Sequence, residues 1–464
     1  MTNAAEVDEL VEKIIDRAIE FYMSSHGWAL NIQGNYEREM GSDGLQITPP
    51  GKPERTSGGQ VLGFGVSFVD GFEYGSGNDA GTLIYGHFES AVRDLFRPWR
   101  NLPDPDGFEP YLEQLREAAW TISMTSEGNK VSGVGNPVLK DVEFLQKKIG
   151  GDDMNGAMIL AFDQNFCTPL PAVIHGQYAV AALAGATLCA EQEIWRKARE
   201  DVLTIARRTL EAMEDRGRGV VNDGLAIVTA VFGVAALFPT PIAPVLAGVT
   251  AALPALATLL DAASPPNKTE VQFAGSSPDE VIGKATDALK TLTNQARDGE
   301  TEIKRLITEG METVTSHPSS FAMPKPKLLE ETKLAGMKVD LGDLHFLAAE
   351  TLPHIGHEFY VASDALNSGG GCSREWMRPA EIDVSDSPDG PCAAWTALVS
   401  LAEDLVLDLA WEIKASAEHL EIASDRIGQN EAEVEAALRR HAAKLTGSGH
   451  DPIGGADEWL NENR

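Results

Sequence analysis

The sequence predicts a mainly α fold, an elongated helical bundle of antiparallel hairpins with an irregular Gly/Pro-rich N-terminal region. Apolar residues recur at steps of three and four over much of the chain, the period of one helix face. Aromatic residues make up only 7% of the total, and alanine is frequent at helical spacings, so packed helices are favoured over a sandwich of short strands. With 43% hydrophobic residues the 464-residue chain can bury substantial cores, and at about 100–200 residues per domain it has room for two to four of them.

The first unit, 1–135, opens with Val7, Leu10, Val11, Ile14, Ala18 and Phe21 on one stripe of an acidic amphipathic helix. From 34 to 106, stretches such as TPPGKPERTSGG and GFEYGSGNDAG make long regular elements improbable, apart from one helix around 83–95. Helical patterning returns near 109–125. The second unit, 136–217, reads as a helical hairpin: Val138, Val142, Leu145 and Ile149, a turn, then a long helical stretch over 157–213, kinked at Pro169 and Pro171 because proline removes a backbone donor.

The third unit, 218–266, is the most unusual, with no charged residue from 224 to 260. It reads as an apolar helical hairpin with arms of about 15 and 19 residues around the Pro239-Thr240-Pro241 turn. Each arm is marginal against the roughly 20 residues needed to cross a bilayer. Leu225, Phe232, Phe238, Pro239, Pro241, Leu246, Leu253 and Leu260 mark a candidate membrane segment; burial as the core of a larger bundle is the alternative.

In the fourth unit, 267–336, Ser277, Pro278 and Glu280 supply an N-cap, a first-turn proline and a capping-box glutamate, and Val281, Ala285, Ala288, Leu292 and Ala296 carry the helix toward Val314, with Gly299 a weak point. The fifth unit, 337–446, is the most regular. Leu344, Ala348, Leu352, Ile355, Phe359, Ala362 and Leu366 form one stripe, and Leu398, Ala402, Leu405, Leu409, Ile413 and Leu420 form the other. Two such helices joined by one loop make an antiparallel hairpin that must bury its seam on something else: the earlier hairpin, a second copy or a helical partner. The tail, 447–464, is Gly-rich and expected to be disordered.

Charge and motifs narrow the function. A net charge of −32 excludes a general phosphate-neutralising surface, so nucleic acid is not an expected partner. The N-terminus has no basic n-region and no unbroken apolar core, so no Sec-type signal peptide is read there, which by itself suggests the cytoplasm. Four cysteines are too few for a disulfide framework; a Cys372–Cys392 bridge would tie two helix ends together, and two free thiols are the alternative.

Recognised catalytic spacings are missing. His354 and His357 lie three apart with Glu358 after both, which is not the zinc-protease arrangement. Gly63 and Gly65 are followed by Phe68 where a dinucleotide loop needs its third glycine. Neither a phosphate loop, a nucleophile elbow nor a Cys-x-x-Cys pair occurs. The expectation is a non-enzymatic protein with no cofactor and no metal. A weaker idea places an unrecognised site in the Gly-rich region around Asp70, His87 and Glu89.

The layout resembles the helical-hairpin substrates of the actinobacterial type VII (ESX) secretion systems, in particular the Trp-x-Gly family and the related secretion-associated proteins. The C-terminal unit, about a quarter of the chain, carries the better match. In the earlier hairpin, Met154, Asn155 and Gly156 stand where that family has Trp-x-Gly, with Met154 replacing the tryptophan. The family's export signal is Tyr-x-x-x-acidic, a tyrosine separated by three residues from an acidic one, after the second helix; here Ile427 takes the tyrosine position, with Glu431 as its acidic partner. Tyr360 with Asp364, on the first helix, and Tyr85 with Glu89 satisfy tyrosine four before an acid. The resemblance implies a secreted or cell-surface effector without a cleavable signal, partnered by the secretion machinery or a small helical protein, with homo-oligomers and membrane contact also open. A cytosolic helical scaffold is the alternative.

Overall fold

The computed structural model describes residues 3–32, 34–40, 43–47, 49, 68–69, 72–73, 79–124, 135–151, 154, 156–215, 225–228, 268–271, 273–324, 339–382, 384, 389–426, 453 and 460. It is mainly α, as the periodicity predicts. Helix α1 (Asn3–Ser25) buries all six residues of the expected stripe. It stops because Gly27 adopts φ +79 and Trp28 donates its amide to the Met23 carbonyl at 2.9 Å, a left-handed cap that only glycine enters cheaply. A short antiparallel sheet follows, β1 (Ala29–Leu30), β2 (Tyr36–Met40) and β3 (Asp43–Ile47), with Tyr36 and Ile47 opposite one another and both buried. This sheet and the two-residue pair β4 (Phe68–Val69) and β5 (Phe72–Glu73) occupy the region read as irregular.

Helix α2 (Asp79–Phe96) turns back along α1, with Tyr22 and Phe88 rings 5.5 Å apart and ion pairs from Arg93 to Glu12 (2.8 Å) and Arg100 to Asp8 (2.6 Å). Helix α3 (Glu109–Thr121) presents Leu112, Leu115 and Ala118 to the core. Then come α4 (Lys140–Ile149) and α5 (Ala157–Phe162), the latter starting after Gly156, which takes φ +134. The chain passes through a π-helical turn, Asp163–Cys167, into α6 (Leu170–Glu214). Thr168 donates to the Asp163 carbonyl at 2.7 Å, so the extra residue per turn absorbs the prolines at 169 and 171. The same device recurs at Leu347–Thr351, just before Pro353.

Helix α6 is the axis of the fold. Helix α1 runs parallel to it, joined by Arg207 to Glu6 and by Arg17 to Glu214 at 3.5 Å. Helix α7 (Pro278–Ser316) runs antiparallel, starting where the Ser277 hydroxyl accepts the Glu280 amide at 3.2 Å. The reciprocal capping bond runs from the Ser276 amide to Glu280, one residue earlier than the capping-box pattern implies. Gly299 is not a weak point: α7 is continuous, and a β-carbon there would sit 2.8 Å from Ile194 Cδ1, so the glycine lets two helices approach closely.

The C-terminal hairpin is α9 (Leu352–Gly369), led in by α8 (Leu341–Phe346), and α10 (Cys392–Arg426). Gly356 faces Ile413 and Gly370 faces Val399, which fixes the pair as antiparallel. Its seam is covered within the chain. Gly369 packs on Leu115 of α3, Trp395 donates Nε1 to the Ala184 carbonyl of α6 at 2.9 Å, and one continuous core contains residues of every long helix.

Two expectations change, and the two cysteine alternatives resolve to free thiols. Residues 225–228, read as the start of an apolar helix, form strand β6 (Leu225–Val228), paired antiparallel with β7 (Lys268–Val271). Ladder pairing with a partner about forty residues away outweighs local pattern there. The tail expected to be disordered places Ile453 and Leu460 in the core. Cys372 and Cys392 are free and buried, with the Cys372 sulfur accepting Trp376 Nε1 at 3.2 Å.

Candidate functional site

The first half of α6 is a bilayer-length apolar rod. Residues 170–190 contain no Asp, Glu, Lys or Arg, and 190 − 170 + 1 gives 21 residues, about 31 Å of helix against a hydrocarbon core of about 30 Å. Among the described residues, Met158–Glu214 is long and apolar enough to cross a membrane, and 89% of its apolar window is buried. Amphipathic helices α1, α3, α7 and α10 enclose α6. Its polar groups bond mostly inside the bundle: Gln177 Nε2 donates to the Phe321 and Leu405 carbonyls at 3.0 and 2.9 Å, leaving its Oε1 buried without a partner, and Thr187 donates to the Leu183 carbonyl at 2.8 Å. Burial pushes the His175 pKa down, favouring its neutral form.

Where the rod ends, charge begins. Glu191 of α6, Glu300 of α7 and Arg378, from the segment between α9 and α10, keep 0%, 3% and 2% of their side-chain surface. Arg378 Nη2 donates to Glu300 Oε2 at 2.7 Å, and its Nη1 lies against Glu300 Oε1 and 3.6 Å from Glu191 Oε1. The guanidinium carbon stands 5.4 Å from the centre of the Trp195 ring, whose Nε1 donates to Glu191 Oε1 at 2.6 Å. Glu191 Oε2 is buried with no hydrogen-bond partner. Burial pushes Glu191 up to about 7 against the pull of Arg378, and burial with the nearby Glu191 charge pushes Glu300 up to about 9.

An aromatic wall closes this cluster. Trp376 lies 5.6 Å from Trp395 and 6.0 Å, edge to face, from Phe108. Gly390 has φ +54, and a β-carbon there would fall 2.0 Å from Arg378 Nη2, so the chain can arch over the guanidinium only as glycine. The arrangement anchors the α9–α10 connection in the groove between α6 and α7.

The residues singled out by sequence are not gathered at one place. Met154 is buried beside the α4–α5 turn and Gly156 makes that turn, while Asn155 lies outside the described residues. Tyr360 is half-buried on α9 with Asp364 exposed one turn later; Ile427 and Glu431 lie outside the described residues. Of the candidate membrane segment only Leu225 is described, in β6, and Phe232, Phe238, Pro239, Pro241, Leu246, Leu253 and Leu260 lie outside. Asp70 is also outside, His87 pairs with Asp279 at 2.8 Å, and Glu89 is exposed.

His354 and His357 are exposed, and Glu358 accepts Asn136 Nδ2 at 2.5 Å. No group of three or more His, Cys, Asp or Glu suited to a metal occurs among the described residues. Burial pushes the thiols of Cys189 and Cys392 up to about 11 and Cys372 up to about 12, which disfavours a nucleophilic thiolate at any of them.

Sequence reading missed both the 170–190 rod, although its uncharged run was available as a signal, and the Glu191–Arg378–Glu300 cluster, for which only the i, i+4 pair Glu191 and Trp195 hinted at a local contact. Comparison with protein-family models, curated proteins and solved structures finds no match to this chain.

Proposed function

We propose that the chain is a non-enzymatic helical effector that leaves the cell through a type VII system and acts at a membrane. The observation that carries the membrane part is the uncharged, bilayer-length 170–190 stretch of α6, stored inside a sheath of amphipathic helices. Such helices can turn their apolar faces from the rod to lipid, which offsets the cost of exposing it. The type VII part rests on the sequence resemblance, with the α4–α5 turn at Gly156 and the α9–α10 pair as the hairpins that an export apparatus would read. A net charge of −32 opposes approach to anionic lipid, so neutral lipid or a receptor is the favoured target.

The second reading is a cytosolic helical scaffold with α6 as ordinary core, favoured by the internal hydrogen bonds of Gln177 and Thr187. Fractionation of a native host culture, with and without its secretion ATPase, separates the two, followed by dye leakage from neutral and anionic vesicles with the intact chain. ATPase-dependent export and leakage from neutral vesicles support the effector. Protein confined to the cytosol of both strains, with intact vesicles, leaves the scaffold.

A further inference from the structure

The segment 372–382 is seated by charges that do not balance. One guanidinium, Arg378, faces two carboxyls, Glu191 and Glu300, in a site from which water is excluded. Fully ionised, the three groups would leave one negative charge in low dielectric with Glu191 Oε2 unpartnered. Among the described residues, the surroundings place no further cation against the two carboxyls. On α7, Arg297 directs its Nε to the Val384 carbonyl at 3.1 Å; α10 contributes the neutral Cys392 thiol; from the connection itself come Asp389, Glu375 and the Cys372 thiol. A shared proton is the remaining way to reach neutrality, and the carboxyl directions agree with it.

We propose that segment 372–382 is a proton-dependent latch, seated in the α6–α7 groove while the Glu191–Glu300 pair holds one proton and released when that proton leaves. Release withdraws Arg378 from the groove, uncovers Trp195 and the Trp376–Trp395 contact, and opens the end of the apolar rod where Glu191 stands. The direction is opposite to an acid trigger: the latch closes in acid and loosens in base. It stands on the cluster itself and does not depend on the membrane reading.

Amide hydrogen exchange on the intact chain from pH 6 to pH 10 tests it, read as protection factors so that the intrinsic pH dependence of exchange divides out. Amides of 372–382 are expected to lose protection about tenfold per pH unit while the seated pair keeps a proton that the released carboxyls have given up, and to level off once the seated pair loses it too, while those of α1 stay protected. Glu300→Gln, which keeps the shape and removes the titration, is expected to flatten that profile, and Glu191→Gln serves the same purpose should the first variant fold poorly. Flat protection in the wild-type chain overturns the latch. So does a wild-type slope retained in either glutamine variant, or an equal loss in α1, which would make the event global.

Discussion

Gly176 lies about a third of the way along the apolar rod, against the turn that follows α7. A glycine inside a helix ordinarily costs about 1 kcal/mol relative to alanine, so Gly176→Ala should stabilise if helix propensity were the whole account. The structure sets a contrary term. An added β-carbon would fall 2.0 Å from the Ser320 carbonyl oxygen and 2.9 Å from Phe321 Cδ1. The oxygen is backbone, in the turn Pro318–Ser320, and cannot step aside as a flexible side chain would. That turn is also held down, because the neighbouring Gln177 donates to the Phe321 carbonyl. Relief therefore needs a shift of the turn, with about 1–3 kcal/mol of overpacking and about 1 kcal/mol for a weakened buried hydrogen bond.

Set against the propensity gain, the net is a destabilisation of about 1–3 kcal/mol. Urea denaturation followed by far-UV circular dichroism should show a lower midpoint than wild type. Gly283→Ala is the internal control: it lies on α7 with nothing within 4 Å of the added β-carbon, so it should raise stability by about 0.5–1 kcal/mol. A raised midpoint for Gly176→Ala, matching Gly283→Ala, would refute the close crossing on which the packing of α6 depends.

Thermal stability should fall as pH rises from about 5 to 9. Burial raises Glu191 and Asp201 to about 7, Glu412 to about 8 and Glu300 to about 9; a raised folded value means stability that is full below the unfolded carboxyl range and lost as pH climbs through those values, so a Tm increasing over this range contradicts the argument. Glu109 and Glu302, held down by Arg116 and Arg305, work in the opposite sense below about pH 4, which puts the maximum on the mildly acidic side. Trp395→Phe removes the donor to the Ala184 carbonyl and should cost about 1–2 kcal/mol in a denaturant titration, with no loss if that bond is unimportant. Ser277→Ala should cost about 1 kcal/mol, with early loss of exchange protection at the start of α7. Reductant should leave Tm unchanged, since Cys372 and Cys392 are free; a downward shift would reveal a bridge.

Helices were legible wherever a stripe of apolar residues had a boundary signal beside it. The stripe from Val281 to Ala296 lies buried on α7, and its Ser277 cap and Pro278 first turn start that helix as read. The prolines at 169 and 171 also spoke, although as a π-helical turn, a register change that a linear pattern does not distinguish from a kink, while the similar turn ahead of Pro353 was not read. These features depend on contacts within one or two helical turns, so residue order is sufficient to specify them.

Contacts across long separations were not legible. Leu225–Val228 is an uncharged run that suits helix and strand alike until Lys268–Val271 supplies hydrogen-bond partners. The seam of the α9–α10 hairpin admitted several partners by pattern, and its packing against α3 and α6 is seen only in the tertiary structure. The chain has 70 acidic and 38 Lys and Arg residues, and no spacing rule marks Glu191, Glu300 and Arg378 as the three taken out of water together. Periodicity is a property of neighbours along the chain and decides which face of a helix is buried; the choice of what that face meets, and which charges share one dry pocket, belongs to packing between segments far apart in sequence.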